Sequence, residues 1–203
     1  MGLDITAYSE VKLLQEKNED IECLYTWSDD FEEEYSDAYP TTVLSINESF
    51  PRQSEGLVEG VYMYSSYDDT SFRCSYSGWS EIRNFLAKAC GYKKISVTEI
   101  SLVNPTILDI DSSYWRDSVE KLPYQHAAFN GKPTDRLHYL LNFSDCEGVI
   151  NNRCCKTILE DLLWLKEKDK ENPCLEDYTL SKLNQLISVF GFAANNNGVV
   201  EFH

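Results

Sequence analysis

A chain of 203 residues, 42% hydrophobic and 26% charged, holds enough apolar mass for one substantial core, which excludes disordered, collagenous and fibrous classes. Its formal charge of -16 disfavours direct binding to nucleic-acid phosphates and suits a basic partner. No apolar run approaches the roughly 20 residues of a membrane span, and MGLDITAY lacks the basic and apolar regions of a signal peptide, so a soluble, cytoplasmic protein without membrane contact is expected.

The chain opens with Leu3, Ile5 and Ala7 alternating against Asp4, Thr6 and Tyr8, the period of a strand with one buried face. Charge is then concentrated: residues 1–69 carry 17 acidic and 3 basic side chains, leaving 70–203 with 17 and 15. Segment 28–39 is the centre of this, with Asp29, Asp30, Glu32, Glu33, Glu34 and Asp37 interleaved with Phe31, Tyr35 and Tyr39. Such an acidic aromatic loop either keeps a protein soluble or docks on a basic protein. Further strands are predicted at 42–47, 58–64, 71–76, 95–100 and 136–143, and in the final GVVEFH.

A helix is predicted over 78–90, where Trp79, Ile82, Phe85, Leu86 and Ala89 form a stripe, Ser77 can cap and Gly91 can terminate. Two more follow, at about 153–169 with Ile158, Leu162 and Leu165 on one face, and at about 177–190 with Leu183, Leu186, Ile187 and Phe190 before Gly191. No internal repeat or long linker divides the chain. The expected fold is therefore α+β, a single domain over 1–203 with a largely antiparallel sheet and about three helices packed on it. Strict βαβ alternation and a GxGxxG turn are both missing, which disfavours the doubly wound nucleotide folds. Seven cysteines without CxxC spacing fit reduced thiols better than a disulfide framework or zinc site, and no metal or other cofactor is implied.

Three stretches carry a resemblance: MGLDITAYS at the start, SYSGW followed by a helix and CGY in the middle, and NFSDCEGVI with NNNGVVEFH toward the end. Together they resemble an uncharacterised family of bacteriophage and prophage proteins that begin MGLDITAY and finish in a short strand closing on Phe-His. The resemblance spans most of residues 1–203, the acidic stretch near 28–39 excepted. It implies an accessory protein in the host-cell cytoplasm, of a kind that blunts host defence by sequestering a nucleotide signal or by docking on a defence protein.

The segment SFRCSYSGW is the leading candidate site. Strand alternation places Phe72, Cys74 and Tyr76 on one face and Arg73, Ser75 and Ser77 on the other, and the chain then enters a helix whose first amides and positive dipole end attract anions. Arg73 and Arg83 would hold phosphate, Ser75 and Ser77 would supply hydroxyls, and Trp79 or Tyr76 would stack a base; Arg83 follows Trp79 by one helical turn. Each also has an ordinary use: a cap, a core ring, a surface ion pair.

The turn after 136–143 adds Asp145, Cys146 and Glu147, and the final strand adds His203. Asp145, Glu147 and His203 together would suit ligand binding, acid–base work or weak metal binding, and Cys146 with His203 or His138 would form a nucleophile pair. Alternatively the two carboxylates bond turn amides or cap the next helix, and Cys146 fills space. His138 reads as a core histidine, His126 as a loop residue, and Asp109 and Asp111 beside Tyr114, Trp115 and Arg116 as an exposed helix start.

Three functions follow in order. The first is a non-enzymatic binding protein that captures a small anionic, nucleotide-like ligand, with a closed homo-oligomer expected. The second is an acidic inhibitor that docks through 28–39 on a basic host defence complex or nuclease. The third is a metal- or histidine-assisted hydrolase built on Asp145, Glu147 and His203.

Overall fold

The computed structural model describes residues 2–16, 40–48, 50–68, 72–92, 132, 134–144, 147–171, 173, 175 and 177–203. Among these, strand β1 (Gly2–Ser9) is the centre of a five-stranded antiparallel sheet. β8 (Val199–Phe202) pairs with it on one side, in the register Ile5 with Phe202 and Tyr8 with Val199. On the other side lie β5 (Ser66–Tyr67), opposite Tyr8 and Ser9, and β6 (Phe72–Ser75), opposite Gly2–Ile5. β7 (Gly148–Ile150) completes the sheet beyond β8. A second, three-stranded antiparallel sheet has the order β2 (Lys12–Glu16), β4 (Gly60–Met63), β3 (Thr41–Leu44).

The alternation read at the start of the chain is what organises these layers. Leu3, Ile5 and Ala7, with Phe72, Val200 and Phe202, face the helices in one continuous core. Tyr8, Val149 and Val199 face the other way and pack with Leu44 and Tyr62 of the small sheet. The fold is α+β: helices on one face of a mostly antiparallel sheet, with a smaller sheet over part of the other.

Among the described residues, three long helices and one short one form the helical layer: α1 (Tyr76–Ala89), α2 (His138–Leu141), α3 (Asn152–Glu171) and α4 (Asp177–Asn195). α1 starts two residues earlier than predicted, because Ser75 rather than Ser77 is its cap: Ser75 is extended, and its hydroxyl accepts from the Gly78 amide at 3.1 Å. Its end is as predicted. Gly91 takes φ +83°, Gly91 N donates to Lys88 O and Tyr92 N to Ala87 O, which closes the helix with a left-handed residue. α4 runs through Gly191 to Asn195, so this glycine does not stop the helix as predicted. Gly198 then has no alternative, since a Cβ there would fall onto the Tyr8 carbonyl.

The strand predicted at 136–143 is the clear miss. Leu137, Leu140 and Leu141 are fully buried, an i, i+3, i+4 spacing that belongs to a helix, and His138–Leu141 is helical. The turn is held by Asp161 of α3, which accepts from the Leu137 amide at 2.7 Å and pairs with Arg136 at 2.6 Å. Strands β2, β5 and β7 had no separate signal; β5 and β7 are only two and three residues long. The prediction at 95–100 and the segment 28–39 lie outside the described residues. No helix among the described residues is long and apolar enough to cross a membrane.

Asp161→Ala removes the acceptor of a buried amide and of Arg136 together, and is expected to lower the unfolding free energy by about 2 kcal/mol in urea titration. Lys170→Ala, which breaks only the exposed pair with Glu167, should change it by less than about 0.5 kcal/mol.

Candidate functional site

The β6–α1 junction keeps part of its predicted chemistry. Phe72 points into the core while Arg73 and Ser75 face outward, as alternation required. Arg73 is 74% exposed and pairs through Nε with Asp4 at 3.2 Å. The Ser75 and Ser77 hydroxyls lie 3.1 Å apart at the start of α1, and both residues are exposed. No acidic side chain occupies the first turn of that helix, so its positive end is not already neutralised from within. Tyr76 is half-buried and rests against the core.

Two predicted contacts are corrected. Trp79 is fully buried, 5.6 Å from Phe72 and 6.0 Å from Phe202 between ring centroids, so it is a core ring and offers no stacking surface. Arg83 is only 1% exposed, and its Nη2 donates to the Leu141 carbonyl. Arg83 and Trp79 share a helix face, as their spacing predicts, but that face points inward, so the guanidinium serves as a tie between α1 and α2.

Tertiary packing supplies replacements that the local sequence did not indicate. From α4, Lys182 donates to the Arg73 carbonyl at 2.7 Å and its ammonium lies 5.0 Å from the Phe72 ring centroid. Tyr178, one turn earlier and 53% exposed, brings its hydroxyl to within 3.6 Å of the position a Cβ would take on Gly78. The signal was present as a Tyr-Lys pair at i, i+4 on the polar side of α4, but only the approach of α4 to β6 gives it a location.

His203 is placed on the same sheet face. Asp4 N donates to His203 O at 2.8 Å and His203 N to Asp4 O at 3.0 Å, so Arg73 of β6, Asp4 of β1 and His203 at the end of β8 form one row across the sheet. The His203 ring is 3.0 Å from Thr6 Oγ1 through Nε2. Glu147 is exposed just before β7; its backbone amide, not its carboxylate, takes part in the turn, donating to Ser144 Oγ at 3.2 Å. Asp145 and Cys146 lie outside the described residues, as do His126 and 109–116. His138 is half-buried in α2, not in a strand, and burial lowers its pKa.

Glu201 is a further residue without a local signal in the sequence. It sits on the Val199 face of β8, opposite Thr6 and Val149, only 9% exposed and hydrogen-bonded to Tyr8 and Thr42. Burial pushes its carboxyl up to about 7. Among the described residues no group of three or more His, Cys, Asp or Glu side chains has metal-holding geometry. Comparison with known protein families, curated proteins and solved structures returns no match.

Burial pushes the thiol of Cys74 up to about 11, Cys90 to about 12 and Cys154 to about 11, with Cys155 also well above the ordinary range. A protonated thiol is a poor nucleophile. Iodoacetamide at pH 7.5 is therefore expected to label these four at least tenfold more slowly in the native protein than in urea, read by peptide mapping.

Proposed function

We propose that this chain is a phage-type accessory protein that binds a small anionic ligand at the β6–α1 junction, and that the ligand is a nucleotide-derived immune signal withheld from host defence. The observation that carries the reading is the arrival of Lys182 and Tyr178 at an acid-free helix start already flanked by Arg73, Ser75 and Ser77. A phosphate would meet two cations, two hydroxyls and helix amides; a base would meet the open ring of Tyr178. The phage setting and the nucleotide class rest on the sequence resemblance.

Two charge effects oppose this, and their sizes favour the site. The Arg73–Asp4 pair is exposed on both sides, and such pairs contribute about 0–1 kcal/mol, while a charge-assisted hydrogen bond to a ligand is worth about 1.5–3 kcal/mol. The net charge of -16 repels an anion at a distance, but the contact residues all lie in the nearly balanced part of the chain after residue 69.

Calorimetric titration with cyclic dinucleotides, ADP-ribose and inorganic phosphate is expected to give saturable binding by one nucleotide. Arg73→Ala and Lys182→Ala should each weaken it about tenfold or more, and Tyr178→Ala should weaken a nucleotide but not phosphate. Silence across the panel, or full affinity in the Arg73/Lys182 double variant, removes the reading. The 17 acidic side chains of residues 1–69 support the second reading, docking on a basic protein. That reading requires salt-sensitive capture of a host protein that is lost when Glu32, Glu33 and Glu34 are changed to Gln. Turnover in the calorimeter cell that disappears in His203→Ala would instead favour the hydrolase.

A further inference from the structure

We infer that Glu201 is a proton-operated clasp between the two sheets: as a neutral acid it is accommodated in the apolar interface and lets the three-stranded layer close, and as a carboxylate its buried charge, offset only in part by the Tyr8 and Thr42 hydroxyls, loosens that layer. This inference is independent of the ligand site.

The geometry is that of an interface. Glu201 belongs to β8 of the large sheet, Tyr8 to the neighbouring β1, and Thr42 to β3 of the small sheet. Thr42 Oγ1 donates to the Tyr8 hydroxyl at 3.3 Å, and both side chains bond Glu201, so three polar groups from two sheets close on one another. Around them the interface is apolar: Val149 and Val199 from the large sheet, Leu44 and Tyr62 from the small one. The two hydroxyls favour the carboxylate, but burial among these apolar side chains outweighs them, so the neutral acid is the form that fits the closed interface.

Among the described residues the surroundings offer that charge no counter-ion. β7 and β3 contain no titratable side chain, and β4 contributes only Tyr62. β5 contributes Tyr67, which lies against Tyr64, itself 4.8 Å from Tyr8 between ring centroids. β2 carries Lys12 and Glu16, both exposed, and β1 carries Asp4, already paired with Arg73. His203, two residues on, is bonded to Thr6. Among the described residues, what acts on the Glu201 carboxyl is burial, which disfavours its charge, against the two hydroxyls, which favour it.

The sign follows from linkage. With its midpoint raised to about 7 from an ordinary 4.5, the folded protein binds this proton more tightly than the unfolded chain. Its favourable contribution is complete below the ordinary value and is lost as pH rises to about 7, beyond which nothing more is lost.

Hydrogen exchange at pH 5.5 and 8.5, corrected for intrinsic rates, tests this on the full chain. In the wild type, protection of 12–16, 41–44 and 60–63 is expected to fall about tenfold or more between the two, while α3 and α4 keep theirs. Glu201→Gln, neutral at both values, should abolish the difference. Equal protection at both pH values, a loss that persists in Glu201→Gln, or a uniform loss that includes the helices would each overturn the clasp. Should Glu201→Gln fail to fold, the carbon-13 carboxyl signal of Glu201 in the wild type and in Thr42→Val decides. The expected midpoint is near 7 and moves upward when the Thr42 hydroxyl is removed; a midpoint near 4.5 overturns it.

Discussion

The antiparallel pairing of Gly2–Ser9 with Val199–Phe202 is the constraint on which the rest of the structure depends. It brings together strands nearly two hundred residues apart in the chain, a loop closure whose entropic cost grows only slowly with length. What offsets that cost is the inner row of Leu3, Ile5, Ala7, Val200 and Phe202, all buried against the helices. Gly198 makes the close entry into β8 possible beneath the Tyr8 carbonyl, directly after the end of α4. The same pairing decides the outer row, since every second residue must face away. Asp4, Thr6, Tyr8, Glu201 and His203 are therefore neighbours by topology, not by any local motif.

That outer row divides into a wet end and a dry end. Toward Asp4, Arg73 and His203 the polar groups remain exposed and their ion pair is weak. Toward Tyr8, Val199 and Glu201 the small sheet covers the face. A carboxyl caught on the covered side meets a drier environment than one at the wet end, such as Asp4. The wet end adjoins the β6–α1 junction, where α4 adds Lys182 and Tyr178 to Arg73 and the two serines. The two arginines once expected to act together serve opposite ends: Arg73 stays in water, and Arg83 ties α1 to the carbonyl of Leu141 inside the protein.

Buried acids recur as structural devices in the helical layer. Asp161 anchors the start of α2, and Asp169 accepts from the Leu175 amide at 2.9 Å on the way into α4. Asn151 does similar work at the start of α3, where its side chain accepts from Cys154 N and donates to the Arg52 and Glu55 carbonyls. Each satisfies backbone groups that irregular connections would otherwise leave unpaired. These polar ties explain how short strands such as β7 and a four-residue helix keep fixed places in the fold.

Much of this was legible in the residues themselves. The period-two alternation of β1 and β6, the stripes of α1, α3 and α4 and the Gly91 terminus are written in local spacing, which is why the α+β class and the outward face of Arg73 could be read directly. Local spacing also contained its own ambiguity: Leu137, Leu140 and Leu141 fit a helix, but RLHYLLNF also passes for a buried strand until Asp161 selects between them. What only the tertiary structure decided was direction and company. Periodicity says that Trp79 and Arg83 share a face but not that the face is interior, and it cannot bring Lys182 to Arg73 or lay Thr42 over Glu201. Burial and long-range approach depend on where every other element packs, and that information is spread over the whole chain.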